Sequence, residues 1–351
     1  MTKPAKKADL AVYIGRFQPF HIGHAHAVQK AFEHADNVLI LIGSAYGPRT
    51  IKNPWTFSER AYMIQLGLPY EAFKHVSIRP LRDYIYDDVL WAKQVQEIVE
   101  SEVDEGDTVI LAGHAKDESS YYLKIFPQWK MVDSGYLDLL GSKHLDATKI
   151  RELYFQNQRP YIASVVNPRV LQYMLDVESM EPGVRALQEE YDFIQSYKKS
   201  WAAAPYPPTF VTVDAVVVQS GHVLLVRRGA APGRGLWAVP GGFVDPKEKL
   251  EAAALRELKE ETCIKLQTSV LQRCISEREI FDAPDRSERG RTVTTAYFIE
   301  LDDSQPLPKV NGADDADKAH WFTFAEFAEM QDQMYEDHWH IVNHFLKLTA
   351  G

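Results

Sequence analysis

Two cysteines, Cys263 and Cys274, in 351 residues are too few for a disulfide framework or a cysteine-built zinc site. They suit a reducing compartment such as the cytoplasm. Long apolar runs are lacking as well. None approaches the roughly 20 residues of a membrane-spanning helix, and the opening MTKPAKKAD has no apolar core of the secretory type. Positive charge is in deficit: 39 Lys and Arg stand against 49 Asp and Glu, a formal net charge of −10. That argues against a nucleic-acid or membrane surface but leaves local nucleotide sites open. There is no internal repeat and no low-complexity tract. What remains is an ordinary globular composition, 45% hydrophobic and 25% charged, over a length that suits two domains.

Near the N-terminus, Leu10-Ala11-Val12-Tyr13-Ile14 reads as a buried strand. The string GRFQPFHIGH follows at 15–24, and Ala27, Val28, Ala31 and Phe32 then recur at helical spacing. Gly15 and Gly23 let backbone approach a ligand, and Pro19 stiffens the loop between them. His21 and His24 lie where the helix starts, and backbone N–H groups there favour an anion. Either histidine alone would more often be a solvated side chain. The whole string Gly-x-Phe-x-Pro-x-His-x-x-His is far more specific. It resembles the nucleotidyltransferase superfamily signature, which implies that both histidines meet ATP phosphates.

Further apolar runs at 37–43, 76–78 and 108–112 alternate with helical patterns at 57–66 and 89–103. This predicts a parallel sheet covered on both faces. Ligands in such sheets sit beyond the carboxyl ends of strands, where Gly15, Gly43 and Gly113 open loops. Three clusters fall at those loops. In residues 49–60, Thr56 or Ser58 can cap a helix with Glu59 in its first turn. In residues 82–91, Trp91 is either core or a stacking platform for a flat ring. In residues 146–152, Thr148 and Arg151 open a helix and can grip terminal phosphates.

Together with Gly43-Ser44-Ala45, Asn53-Pro54-Trp55-Thr56 and Glu59-Arg60, these clusters resemble nicotinamide mononucleotide (NMN) adenylyltransferases of the archaeal-like type, over residues 8–175. The resemblance implies that Gly15, Arg16, Phe17, His21, His24, Gly113, Thr148 and Arg151 surround ATP. It implies that Asn53, Trp55, Asp83, Asp88 and Trp91 surround the mononucleotide, with Trp91 stacked on nicotinamide. Residues 113–117 would meet adenine and ribose. In the implied reaction the mononucleotide phosphate attacks the α-phosphorus of ATP, pyrophosphate leaves and NAD forms. The nucleophile is already anionic, so the task is to hold two anions together and stabilise leaving-group charge. That falls to His21, His24, Arg151 and Mg²⁺. A nucleotidyltransferase for another phosphate ester is the rival reading; Trp91 and Asn53-Pro54-Trp55 speak for a flat pyridine ring.

Residues 187–199 read as a charged helix, and residues 202–208, AAAPYPP, as a connector. The expected organisation is an adenylyltransferase domain at 1–185, a linker at 186–208 and a second domain at 209–351. That second domain opens with a hairpin signal at Ser220-Gly221-His222. Its main motif is GFVDPKEKLEAAALRELKEETCI at 242–264. Leu250, Ala253, Ala254 and Leu258 share one helical face, and Glu257, Glu260 and Glu261 share another. Clustered carboxylates repel one another unless a hard cation such as Mg²⁺ or Mn²⁺ sits among them. Arg256 can orient one of them.

Gly242, Glu248 and Arg256-Glu257-Leu258-x-Glu260-Glu261 resemble the Nudix box, with Cys263 where the box has its last glycine. This implies an α/β/α sandwich that cleaves a diphosphate with metal-activated water, Glu257 being catalytic and Glu257, Glu260 and Glu261 binding metal. Residues 281–292 resemble the loop of Nudix ADP-ribose pyrophosphatases, which implies that Arg286 and Arg291 meet ADP-ribose and that AMP and ribose 5-phosphate are the products. The two halves, in this order, resemble a bacterial fusion of the two activities. The expected fold is α/β: an N-terminal Rossmann-like nucleotidyltransferase parallel sheet plus a C-terminal Nudix sandwich. The expected partners are ATP, NMN, NAD and ADP-ribose, in a cytoplasmic enzyme that could form a homo-oligomer. The rival for the second half is a non-catalytic ADP-ribose sensor, against which the intact glutamates speak and for which Cys263 speaks weakly.

Overall fold

Val38, Leu39, Ile40, Leu41 and Ile42 are all fully buried, as a strand covered by helices on both faces requires. They form β2 (Ala35–Ile42), in a sheet with β1 (Ala8–Gly15), β3 (Val76–Pro80), β4 (Val109–Gly113) and β5 (Lys130–Asp133). The order is β3-β2-β1-β4-β5 and every pairing is parallel. The chain therefore runs outward from β1 in one direction and then in the other. The switch point lies at the carboxyl end of β1, where Gly15 opens the histidine loop. The computed structural model describes residues 7–113, 125–135, 146–314 and 316–349.

The helices of this first half are α1 (Ile22–His34), α2 (Phe57–Gly67), α3 (Tyr70–Phe73), α4 (Asp88–Glu100), α5 (Ala147–Phe155), α6 (Arg159–Val165), α7 (Pro168–Met180) and α8 (Pro182–Ser200). Alternation along β1 sends Leu10, Val12 and Ile14 into one core with Val95 and Val99 of α4. The chain divides into two compact units, Met1–Gln188 and Glu189–Gly351. The division falls inside α8, within the expected linker at 186–208 and the helix expected at 187–199. The reason lies in packing: Tyr191 and Ile194 are buried, and the rings of Tyr197 and Trp201 lie 5.8 and 5.4 Å from that of Phe210. Aromatic contacts of that kind hold the end of α8 to the start of β6 in the second unit.

That second unit contains β6 (Phe210–Gln219), β7 (His222–Arg228), β8 (Trp237–Ala238), β9 (Gly241–Phe243), α9 (Leu250–Thr262), α10 (Thr268–Arg273), β10 (Ile275–Phe281), β11 (Thr292–Glu300), β12 (Ala316–Thr323), α11 (Phe324–Ala328) and α12 (His338–Leu346). Its sheet runs β10-β11-β6-β7-β12, with β8 on β7 and β9 on β6. The β6–β11 pair is parallel and the other pairs are antiparallel. Val213, Ala215 and Val217 pack on Ala253, Ala254 and Leu258 of α9. Phe298 of β11 stacks on Phe345 of α12 at 5.1 Å. The sheet is thus mixed and carries helices, in an α/β unit. Among the described residues, no helix is long and apolar enough to cross a membrane.

Cys263 does not disturb the end of α9. It takes up the left-handed conformation, φ 52° and ψ 23°, and donates its N–H to the Lys259 carbonyl at 3.0 Å. A side chain there is strained, so Cys263→Gly should stabilise the protein by up to about 1 kcal/mol in chemical denaturation. Destabilisation would mean that the packing of the thiol outweighs the strain.

Candidate active sites

In the first unit the site begins at the N-terminus of α1. His21 is the N-cap; its Nδ1 accepts the Gly23 N–H at 3.1 Å. His24 returns the contact, its Nδ1 accepting the His21 N–H at 3.3 Å. The two rings stack with centroids 3.7 Å apart. Both Nδ1 lone pairs are engaged with backbone donors, so each neutral imidazole carries its hydrogen on Nε2. The helix cap thereby fixes two N–H donors suited to an anion, beside the positive end of a helix.

Arg151 joins this loop from far along the chain. Asp146 caps α5 by accepting the Lys149 N–H at 2.7 Å. One turn later the buried Arg151 donates to the Gln18 carbonyl at 2.9 Å and to Thr148 Oγ1 at 3.1 Å. The histidine loop, Thr148 and Arg151 therefore share one region. Arg16 is exposed at the same loop, and Gly113 ends β4 with its carbonyl accepting the Ser134 N–H at 2.9 Å. The expected adenine loop, His114 to Asp117, lies outside the described residues.

Two of the expected site aromatics are buried. Phe17 is 1% exposed, and its ring meets His24 edge-on at 4.9 Å and Tyr13 at 5.4 Å. Its ring supports that of His24. A Cβ on Gly15 would come within 2.9 Å of that ring, which explains the glycine. Trp55 is also 1% exposed, packed edge-on against Tyr154 at 5.2 Å. Its backbone is held by Gln18, whose amide donates to Trp55 O at 2.8 Å and accepts the Trp55 N–H at 3.1 Å. In this structure it packs as core.

Asp83, expected beside the mononucleotide, accepts from Ser44 with both oxygens, through the N–H at 3.0 Å and the hydroxyl at 2.5 Å. Asp88 is exposed in the first turn of α4. Trp91 is half-buried against the core, its ring 6.0 Å from Phe126. Asn53 is half-buried, and its Oδ1 has no hydrogen-bond partner among the described residues. A buried acceptor of that kind calls for a ligand or water donor.

In the second unit, β9 and α9 build the site together. A Cβ on Gly242 would come within 2.5 Å of Glu257 Oε1, so the glycine admits the carboxylate. Glu261 is 8% exposed and accepts the Gly241 N–H at 3.0 Å. Burial, with Glu257 and Asp214 nearby, pushes its carboxyl up to about 8. Burial raises Glu257 as well. Arg256, expected to orient one carboxylate, grips three: Glu257 at 2.9 Å, Glu260 at 2.8 Å and Glu248 at 3.0 Å.

Among the described residues, no group of three His, Cys, Asp or Glu stands ready to hold a metal. The donor chemistry nevertheless fits a hard divalent cation. Glu257, Glu260 and Glu261 offer only oxygen, and two of them are pushed towards the neutral form that a cation would reverse.

The expected ADP-ribose arginines diverge. Arg286 is buried in a bidentate pair with Asp337, both contacts 2.8 Å, which ties it to the fold. Arg291 stays at the surface, donating to the Asp282 carbonyl and lying 3.6 Å from its carboxylate.

Two family models match the chain, a cytidylyltransferase-like model over residues 12–123 and a NUDIX domain over residues 208–345. The nicotinamide/nicotinic acid mononucleotide adenylyltransferase of Acinetobacter baylyi is 36% identical over 185 residues, 53% of this chain and 94% of that protein. The ADP-ribose pyrophosphatase of Methanocaldococcus jannaschii is 27% identical over 141 residues, 40% of this chain and 75% of that protein. A solved bifunctional NMN adenylyltransferase/ADP ribose pyrophosphatase from Francisella tularensis, complexed with AMP and a manganese ion, is 32% identical. It covers 97% of this chain and 99% of its own, with a TM-score of 0.87. The chain belongs to this bifunctional family.

In this member of the bifunctional family, two arginines lie inside motif strings named from the sequence, Glu59-Arg60 and the 281–292 loop, without a role assigned to either. Arg60 is buried in α2, on the face it shares with Met63 and Ile64. A charge at i of an i, i+3, i+4 buried stripe was the signal that could have found it. Arg289 lies over the Phe243 ring at 5.0 Å, and its Nε has no hydrogen-bond partner among the described residues. Nothing in the local pattern separates it from its surface neighbours.

Proposed function

We propose that the first unit joins NMN and ATP to give NAD and pyrophosphate, and that the second hydrolyses ADP-ribose to AMP and ribose 5-phosphate. The whole-chain similarity to the Francisella bifunctional protein carries this reading. Adenylyl transfer is assigned to residues 1–185 and hydrolysis to 209–351. At the first site, Nε2–H of His21 and of His24 stabilises the charge that grows on the departing pyrophosphate. Arg151, held by Gln18 and Thr148, presents its fixed cation beside them. The Asn53 amide oxygen and the ring of Trp91 receive the mononucleotide, and Asp88 stands at the rim.

At the second site, Glu257, Glu260 and Glu261 hold Mg²⁺, with Mn²⁺ as a substitute, the ion found with the Francisella protein. The cation supplies Lewis-acid stabilisation of the diphosphate. Arg256 keeps the glutamates oriented until substrate and metal arrive, and Arg291 lies within the loop that would meet ADP-ribose. A cytoplasmic enzyme, free to form homo-oligomers, fits both reactions.

The experiment is a substrate panel on the full chain with separate readouts. Pyrophosphate should be released only with ATP and a pyridine mononucleotide together. AMP should be released from ADP-ribose only with a divalent metal. Pyrophosphate release with a different phosphate ester, and none with NMN, would overturn the first assignment. Binding of ADP-ribose without AMP release would overturn the second.

A further inference from the structure

Arg60 is a buried cation that the chemistry above does not use. It is 1% exposed, and its hydrogen bonds all go to backbone carbonyls. It donates to Arg16 O at 2.7 Å, Gly43 O at 2.7 Å, Ser44 O at 2.9 Å and Thr56 O at 3.2 Å. Burial lowers its pKa to about 10, and Asp83 is the foremost charge opposing that shift. The Asp83 carboxylate is itself occupied by Ser44. A guanidinium buried without a carboxylate partner is costly, and an apolar side chain beside Met63 and Ile64 would serve stability better.

The acceptors explain the choice. Arg16 belongs to the loop after β1, and Gly43 and Ser44 to the loop after β2. The planar fork of one arginine spans both loops at once, which an ammonium on a flexible stem cannot do. Ser44 is held from both ends, by Arg60 at its carbonyl and by Asp83 at its N–H and hydroxyl. It sits at φ 50°, a conformation that a non-glycine residue keeps only when its surroundings enforce it. These two loops open at adjacent strand ends of the crevice, the first ending at His21, the N-cap of α1, with His24 in the first turn beyond it.

We propose that Arg60 is a positioning residue for adenylyl transfer: its carbonyl clamp fixes the separation of the loops after β1 and β2, and with it the alignment of nucleophile and α-phosphorus. The inference rests on the adenylyl-transfer reading above. Reactive alignment is steep in distance, so a misplacement of about 1 Å costs on the order of a hundredfold in rate.

The test uses the full chain carrying Arg60→Gln, Arg60→Lys or Ser44→Ala, with kcat and each KM for NAD synthesis measured beside the melting temperature. Arg60→Gln should lower kcat by roughly tenfold to a hundredfold while KM for ATP and for NMN stays within about threefold. Arg60→Lys should recover only part of the loss. Ser44→Ala, which leaves Arg60 in place and removes one Asp83 contact, should lower kcat by a smaller factor; it carries the test should Arg60→Gln fail to fold. An unchanged kcat per folded enzyme would overturn the proposal, as would a loss confined to one KM. Wild-type protein that makes no NAD would instead overturn the adenylyl-transfer reading beneath it.

Discussion

His24→Ala should lower kcat for NAD formation by on the order of a hundredfold or more, the effect of removing one donor from a developing anion. The same substitution removes the acceptor for the His21 N–H, so it should also cost about 1 kcal/mol of stability at the start of α1. His24→Gln separates the two effects. Its amide oxygen can still accept from the N-cap backbone, as a capping-box glutamine does. It should restore the melting temperature and leave turnover low. A glutamine variant that turns over at the wild-type rate would reduce His24 to a helix cap.

Glu261→Gln should nearly abolish metal-dependent hydrolysis of ADP-ribose, because a hard cation needs the charge that the amide lacks. NAD synthesis on the same sample should stay within about twofold, as expected of sites that share no partners. The metal-free protein offers a second readout. In the fold the Glu261 carboxyl titrates at about 8, against an ordinary 4.5, mainly through burial. Between those values the folded chain keeps a proton that the unfolded chain releases. The stabilising contribution of this group is therefore whole below pH 4.5 and is lost as pH rises towards 8. Glutamine does not ionise. With chelator present, Glu261→Gln should gain stability over wild type as pH rises from 5 to 8, by on the order of a few kcal/mol at most. Hydrolysis that survives the substitution would sink the metal face; a wild-type stability flat with pH would sink the buried-carboxyl argument.

Both motifs were legible because their information is local. The helical spacing that gathers Glu257, Glu260 and Glu261, and the turn that sets His21 against His24, each span only a few residues. The parallel sheet was legible too, since Val38 to Ile42 can be uniformly apolar only if both faces are covered. The failures share one cause. An aromatic inside a motif looks the same in a crevice as in a core, and Phe17 and Trp55 turned inward where the sequence allowed either. Arg286 reads as a ligand arginine until Asp337 arrives from far down the chain to neutralise it. Nor does the sequence show that the fold brings Ser44 to Asp83. Pairing across long sequence distances decides such cases, and no local pattern records it.

The strand pairings also order events on the ribosome. Leu10 pairs with Val109, and Phe210 with Thr292, so the centre of each sheet joins residues made far apart in time. Closing such long loops comes late, because their entropy must be overcome before the contacts return anything. β1 waits for β4 to emerge, and β6 waits for β11. Until Thr292 is outside the tunnel, β6 has its hairpin partner β7 on one side and nothing of the described sheet on the other. A nascent chain stalled after β7 has emerged and before β11 emerges therefore displays a long apolar strand edge, the kind of surface that invites aggregation or a holding chaperone.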